Sequence, residues 1–545
     1  MSGVESSQYS YSPDERPTFP GSPAVPAQSA SRRTGAGVIG AVLAICATFG
    51  NALVNVNVAS IGGALGLYVA EASWLPAIYV AMNASANLSL VKARAQWGIP
   101  WVTHTLLWIY AGVGAIQLMF PGFAAAIAVR AVCGMTAAAL TTLSIYYLLQ
   151  AFPGKFRPLS LVVGMGLTQL GTPLARLVPV EMLALDHGQS LALIEIALPL
   201  SVLALITAFP LPPSERSTAF ERTDFVTIAL LVPAYVLVCG VLSLGRVYWW
   251  TDAPWIGYAL VCAVPLFVAV LLIERRRDRP LLQLRWLRTR DILRFAAVAL
   301  FVRLALAEQT YAAVGLLTSG GLSNDELRTL FSIVAVAMFF GVVCAALTLS
   351  ERRLPYQVAV AALMIASAAW LDSNATNLTR PEQLYFSQAL LGFGTTLFIG
   401  PALVYGFIRM FSRGADHLVS FIVLFSTTQN VGGLAGSALL GSYQIEAARH
   451  HALALSERVL TTDPAVAGRI LGGAASLSGV IVDPALRAGQ GAGLLSRAMA
   501  REASVLGFDD VFRWLCAAGL FIAAYVLVIA LYKEWRRHVT HGVVA

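Results

Sequence analysis

The chain has 545 residues, of which 57% are hydrophobic and only 12% charged, about half the charged share of a soluble globular domain. That much apolar surface cannot be buried in one globule, but cut into stretches of roughly twenty residues it matches the ~30 Å hydrocarbon core of a bilayer. The net charge of +8 does not point to nucleic acid, because only three of the 37 cations are lysines and most arginines cluster between apolar runs, the pattern of membrane topology.

In chain order, residues 1–34 are rich in Ser, Pro and Gly and read as a disordered cytoplasmic tail without the layout of a cleavable signal peptide. Apolar runs follow at about 35–58, 73–91, 99–120, 123–151, 159–182 and 190–211, an N-terminal bundle of six spans over 35–211. Runs at 225–244 and 256–273 lie in a central segment, 212–293, that ends in a basic cytoplasmic loop. A C-terminal bundle over 294–532 holds runs at 294–318, 328–349, 355–371, 384–408, 418–442 and 511–532, with a long external connection at 443–510. That connection reads as helical from Ile445 to Val459 and from Leu494 to Ala503, and residues 533–545 form a second cytoplasmic tail. These are about fourteen spans. Their length and uniform apolarity demand helices, since an open sheet would leave edge amides unsatisfied in lipid. All six cysteines fall inside apolar runs with no C-x-x-C pair, so neither disulfides nor metal ligation is expected, and no cofactor is called for.

Alternate short connections carry Lys92 and Arg94, Lys155 and Arg157, Arg216 and Arg222, eight arginines from Arg275 to Arg294, Arg352 and Arg353, and Arg413. The intervening ones hold little beyond Arg246 and Arg380. By the positive-inside rule both termini face the cytoplasm, flanked by Arg32 and Arg33 at one end and Lys533, Arg536 and Arg537 at the other.

Trp74 and Tyr79 enter the second span, and Asp224 and Phe225 open an extra central pair. Leu244, Gly245, Trp249 and Trp250 close its first helix, and the basic stretch Glu274 to Arg294 follows it. A Gly-rich thirteenth span holds Asn430, Gly432, Gly433, Gly436 and Gly441, and Arg501, Ala503, Leu506, Gly507, Phe508 and Phe512 end the external connection. In order and spacing these features resemble the fourteen-helix drug:proton antiporter branch of the major facilitator superfamily, the EmrB/QacA type, and Arg130 and Gly134 match that family's Arg and Gly in the fourth span. Elsewhere the chain departs from the pattern. The loop after the second span keeps only its Gly in Ala95 to Pro100, Arg176 to Glu181 replaces a Gly-Pro-x-x-Gly-Gly motif, and Gly50 or Asn51 stands where an acid belongs. The resemblance implies a major facilitator fold, two six-helix bundles with two extra central helices in an all-α membrane protein, and a part in proton coupling for Arg130.

An ionisable side chain inside a span is costly, so it faces a bundle interior or an aqueous cavity. Arg176 lies mid-span, seven residues from Gln169 on one helix face, and either binds an anionic substrate group or makes a structural salt bridge. Glu195 suits the role of its buried partner and is the next candidate after Glu308 for proton coupling. Glu308 is the preferred carboxylate for carrying a proton, and Arg303 lies about 140° round the same helix, so the two are no obvious pair. Tyr79, Asn83 and Asn87 recur every four residues, as do Asn51 and Asn55, so each set lines one helix face, as cavity wall or as helix-joining amides. His104 and Gln117 read as helix-joining groups.

No phosphate loop, paired-His motif or nucleophile elbow is present, so nothing points to an enzyme. The expectation is a secondary active transporter in the inner membrane, exporting small amphipathic or toxic compounds by coupling to the inward flow of protons. A Gram-negative cell would add a periplasmic adaptor and an outer-membrane channel as partners. The alternatives are an uncoupled or differently coupled carrier and a non-transporting sensor or scaffold derived from a transporter.

Overall fold

Backbone amides in lipid have no water to bond, so an apolar run satisfies them within its own helical turns. The computed structural model describes residues 15, 17, 21–152, 154–184, 188–214, 216–277, 280–411, 414, 417–460 and 462–542, and among these the chain is helical with no sheet. Arg413, used above for orientation, lies outside the described residues.

The first half runs through α1 (Ala30–Val56), α2 (Val58–Ala64), α3 (Val69–Trp97), α4 (Ile99–Met119), α5 (Phe123–Ala151), α6 (Arg157–Thr168), α7 (Gly171–Ala175), α8 (Glu181–Ala184) and α9 (Gln189–Ala208). The central pair is α10 (Arg222–Tyr248) and α11 (Pro254–Arg276), followed by the short α12 (Leu284–Leu287). The second half holds α13 (Arg290–Ala305), α14 (Val314–Ser319), α15 (Arg328–Leu347), α16 (Leu354–Asp372), α17 (Tyr385–Phe411), α18 (Leu418–Arg458), α19 (Pro464–Ser476) and α20 (Pro484–Gly542). Eleven of these are long and apolar enough to cross a membrane. The three other expected spans are helical but depart from that standard. Helix α3 is diluted by Asn83, Asn87, Lys92 and Arg94, and the fifth and ninth spans are interrupted.

The two halves share part of a packing scheme. In the first, α3 packs on α5, α4 on α5 and α9, and α1 on α6 and α7; in the second, α15 packs on α17, α16 on α17 and α20, and α13 on α18. The halves meet where α3 crosses α18 and where α6 lies against α15 and α17. Helix α10 packs on α3, α18 and α11, so the extra pair flanks one of these seams.

Buried charge ties that pair down. Asp224 at the start of α10 accepts from Lys92 of α3 at 2.6 Å and from Arg277 at 2.7 Å, and Arg277 also reaches Glu221 at 2.8 Å and Glu274 at 2.9 Å. Burial alone would lower the Arg277 pKa, but its carboxylate partners outweigh that and raise it, so the guanidinium stays charged. Glu274 takes the hydroxyl of Thr227 and the amides of Leu281 and Leu282, which fixes the turn after α11.

Three expectations need correction. Residues 21–34 are ordered: Ala24 and Val25 are buried, Gln150 donates to the Ala24 carbonyl, and Ser29 caps α1 from Ala30 onward. The fifth and ninth spans are not continuous helices, whereas the first covers its expected range and ends at Asn57, whose side chain turns back to the Leu53 carbonyl at 3.0 Å. The fifth divides at Gln169–Leu170, and the ninth passes from α13 into a π-helical stretch, Glu308–Ala313, before α14. Widened turns of this kind are frequent at functional sites.

The connection at 443–510 is more helical than expected. Helix α18 is 41 residues long and α20 is 59, or about 60 and 90 Å at ~1.5 Å per residue, well beyond the ~30 Å apolar core. Both continue past the membrane-crossing region, on the side opposite the start of α1, with α19 between them and no buried residue in α19.

Candidate functional site: a cavity between the halves

The face at which α1 begins is termed proximal and the opposite face distal. Between the halves lies a cavity of about 510 Å³, within the ordinary range for small-molecule sites. Its walls come from α1, α3, α5, α6 and α7 on one side and α10, α13, α17, α18 and the π-helical turn on the other.

Every residue singled out for substrate contact lines this space: Asn51, Asn55, Tyr79, Asn83, Asn87, Gln169 and Arg176. The amides of α3 also join the halves. Asn430 donates to Asn83 Oδ1 at 2.9 Å, and Asn87 donates to Ser426 Oγ at 2.9 Å. The alternatives of cavity wall and helix-joining group therefore coincide at these positions. Asn51 Oδ1 is buried with no partner among the described residues, leaving an acceptor for a ligand.

At the distal end the two halves close on a polar lock. Asn324, in the turn before α15, donates to the Val56 carbonyl at 3.0 Å and to Asn57 Oδ1 at 2.7 Å, and its own Oδ1 accepts from Arg176 Nη1. The helix break at Asn57 is what presents these groups.

The proton-coupling candidates fall into two separate places, neither on the cavity wall. Arg130 and Glu195 form an ion pair inside the first half, 2% and 3% exposed, and Arg130 also donates to the Gly50 carbonyl at 3.2 Å. Glu195 thus partners Arg130 and not Arg176. Glu308 is fully buried in the second half, where Gln388 donates from Nε2 to Glu308 Oε1 at 3.0 Å and to Asp372 Oδ2 at 2.8 Å. Two carboxyl groups thus share one amide with no cation in salt-bridge range among the described residues. Asp372, at the last turn of α16, went unnoticed because it stands at the edge of an apolar run, and Gln388 because an amide in a span is unremarkable.

Arginines are the other group that sequence reading misplaced. Arg94 and Arg246 look like loop cations, yet both sit in the last turns of helices and line the cavity, as does Arg303. The Gly-rich face of α18 explains how two of them fit. A Cβ at Gly433 would lie 2.8 Å from Arg303 Nη2, and one at Gly441 would lie 2.7 Å from Arg246 Nη1.

The arrangement is similar to that of solved transporters. A bacterial homologue of the human drug peptide transporters PepT1 and PepT2 superposes with a TM-score of 0.55 at 11% identity, covering 93% of this chain and 99% of that one. A proton dependent oligopeptide transporter gives 0.54 at 12% identity, over 92% and 100%. The proton:xylose symporter XylE, from the major facilitator superfamily, gives 0.50 at 14% identity, over 75% and 88%. The chain has the major facilitator fold. No family model and no curated protein matches the sequence.

Proposed function

We propose that the protein is a secondary active transporter that exports small amphipathic compounds, toxic ones among them, by exposing the central cavity to each face in turn. The observation that carries this reading is the cavity itself, enclosed between the two halves and closed distally by the contacts of Asn324 together with an apolar cluster in which Leu170, Leu174 and Leu177 of the first half meet Leu327, Leu330 and Phe331 of the second.

Proton coupling runs through Glu308, with Asp372 and Gln388 as its neighbours, and the Arg130–Glu195 pair sets the conformation of the first half. The resemblance to the drug:proton antiporter branch supports export, with the proximal face and both termini in the cytoplasm of an inner membrane. An adaptor and an outer-membrane channel fit the distal projection of α18, α19 and α20. The test is reconstitution in liposomes with an imposed pH gradient and a panel of amphipathic compounds. Substrate-dependent proton flux is the expected result. Transport indifferent to the gradient would leave an uncoupled carrier, and no transport of any compound would leave a sensor or scaffold.

A further inference from the structure

Arginine stays protonated at any accessible pH, and a desolvated cation without a counter-charge is expensive. Elsewhere this chain supplies the counter-charge: Arg130 has Glu195, and Arg277 has three carboxylates. The cavity is different. Arg94, Arg176, Arg246 and Arg303 all line it, and among the described residues no Asp or Glu does. None of the four makes a salt bridge among the described residues.

Their partners are neutral. Arg94, 3% exposed, donates to the Leu90 carbonyl; Arg176, 5% exposed, uses Asn324; Arg246 lies 4.9 Å from the ring centre of Tyr311; Arg303 Nε donates to the Gln429 carbonyl at 2.8 Å. They are also spread along the axis. Arg303 lies beside Gly433, three residues from the Asn430 that meets Asn83. Arg246 lies beside Gly441, about 12 Å further distal on α18 at ~1.5 Å per residue, and Arg94 follows Asn83 by eleven residues, about 16 Å proximal. Low-dielectric walls lined by one sign of charge focus the field into the space they enclose.

We propose that the cavity is an anion site and that the compounds moved through it are aromatic organic anions, carboxylates or sulfonates, with the anionic group held at Arg303 and the ring against Tyr79, Tyr311 and Phe425 of the wall. Arg94 receives the anion at the proximal end, and Arg246 and Arg176 receive it at the distal end. Binding of the anion stands on the cavity alone, while its movement rests on the transporter reading above.

The test uses the full chain in detergent and three probes of one shape: 2-naphthoate, its methyl ester and 2-naphthylmethylammonium. Naphthoate should bind saturably and at least tenfold more tightly than the other two. Arg303→Gln should weaken it by about tenfold to a hundredfold, the range for losing a charged hydrogen bond, with Arg303→Lys recovering part of the loss and Arg246→Gln giving a smaller one. Thermal melting of each unliganded variant checks folding, and if Arg303→Gln does not fold, the three-probe comparison and Arg246→Gln decide. Equal binding of the three probes, or no loss in either arginine variant, overturns the proposal. Counterflow in liposomes separates the two readings. Exchange of the ester or the ammonium but not naphthoate keeps the transporter and removes the anion assignment. Arg303-dependent binding of naphthoate with no exchange of any probe keeps the anion site and removes the transporter.

Discussion

The guanidinium of Arg176 lies 4.6 Å from the ring centre of Phe331, so a cation at the end of α7 in the first half rests on an aromatic ring of α15 in the second. Together with the hydrogen bonds of Asn324 and the apolar cluster of Leu170, Leu327 and Leu330, this contact joins the halves at the distal face. Phe331→Leu keeps an apolar side chain in that cluster and removes a cation–π contact worth about 1–2 kcal/mol at a desolvated site. The distally open state should then gain roughly fivefold to thirtyfold in population, read as faster maleimide labelling of an Asn51→Cys reporter in a cysteine-free background. An unchanged labelling rate would show that the ring does not hold the gate.

The Arg130–Glu195 pair is closed off from the cavity, so its first duty is to the fold. Either Arg130→Met or Glu195→Gln leaves one buried charge alone, at a cost of about 3–5 kcal/mol, whereas replacing both by apolar residues of similar volume is close to neutral. Thermal unfolding of purified protein should therefore show two unstable single variants and a largely restored Arg130→Met/Glu195→Leu double. Additive losses in the double would mean that the two side chains do not act as a pair.

Glu308→Gln keeps the size and the hydrogen bond to Gln388 but removes the exchangeable proton. Substrate binding should persist and pH-driven exchange should vanish, with Asp372→Asn giving a weaker form of the same defect because it shares the amide. Undiminished proton-driven exchange in both variants would make this acid pair structural and move coupling to Glu195. Folding is checked first by melting temperature, since the site is buried.

Reporter fusions after Arg290 and near Gly472 should fall on opposite sides of the membrane, the first cytoplasmic and the second external. Shortening residues 460–495 should leave insertion intact and impair partner assembly or export in cells. Both fusions on one side would remove the fourteen-span reading, and unchanged export by the shortened chain would remove the partner role of the projection.

The helical spans could be read from composition because lipid admits few alternatives, and helical spacing grouped Asn51 with Asn55, Tyr79 with Asn83 and Asn87, and Gln169 with Arg176. Tyr79, Asn83 and Asn87 share a face whatever surrounds them. Tertiary relations were not legible in that way. Arg94 and Arg246 counted as loop charges because an apolar-run boundary hides the last helical turn, where a long side chain folds back into the protein. The break around Glu308 was invisible because the hydrophobic pattern runs straight through it. Asp372 and Glu308 lie 64 positions apart in sequence, so no local spacing predicts that they share an amide.

Helix α20 passes without interruption from the distal projection into the packed bundle, where it lies along α16 and α18. A continuous helix behaves as a lever arm. From Asp510 out to Pro484 it extends about 40 Å at ~1.5 Å per residue, so a tilt of about 10° at membrane level sweeps its tip by roughly 7 Å. Any rocking of the second half is thus magnified at the far end of the hairpin, where the molecule's internal state becomes a displacement that another protein can feel and a fluorophore near Val482 can measure.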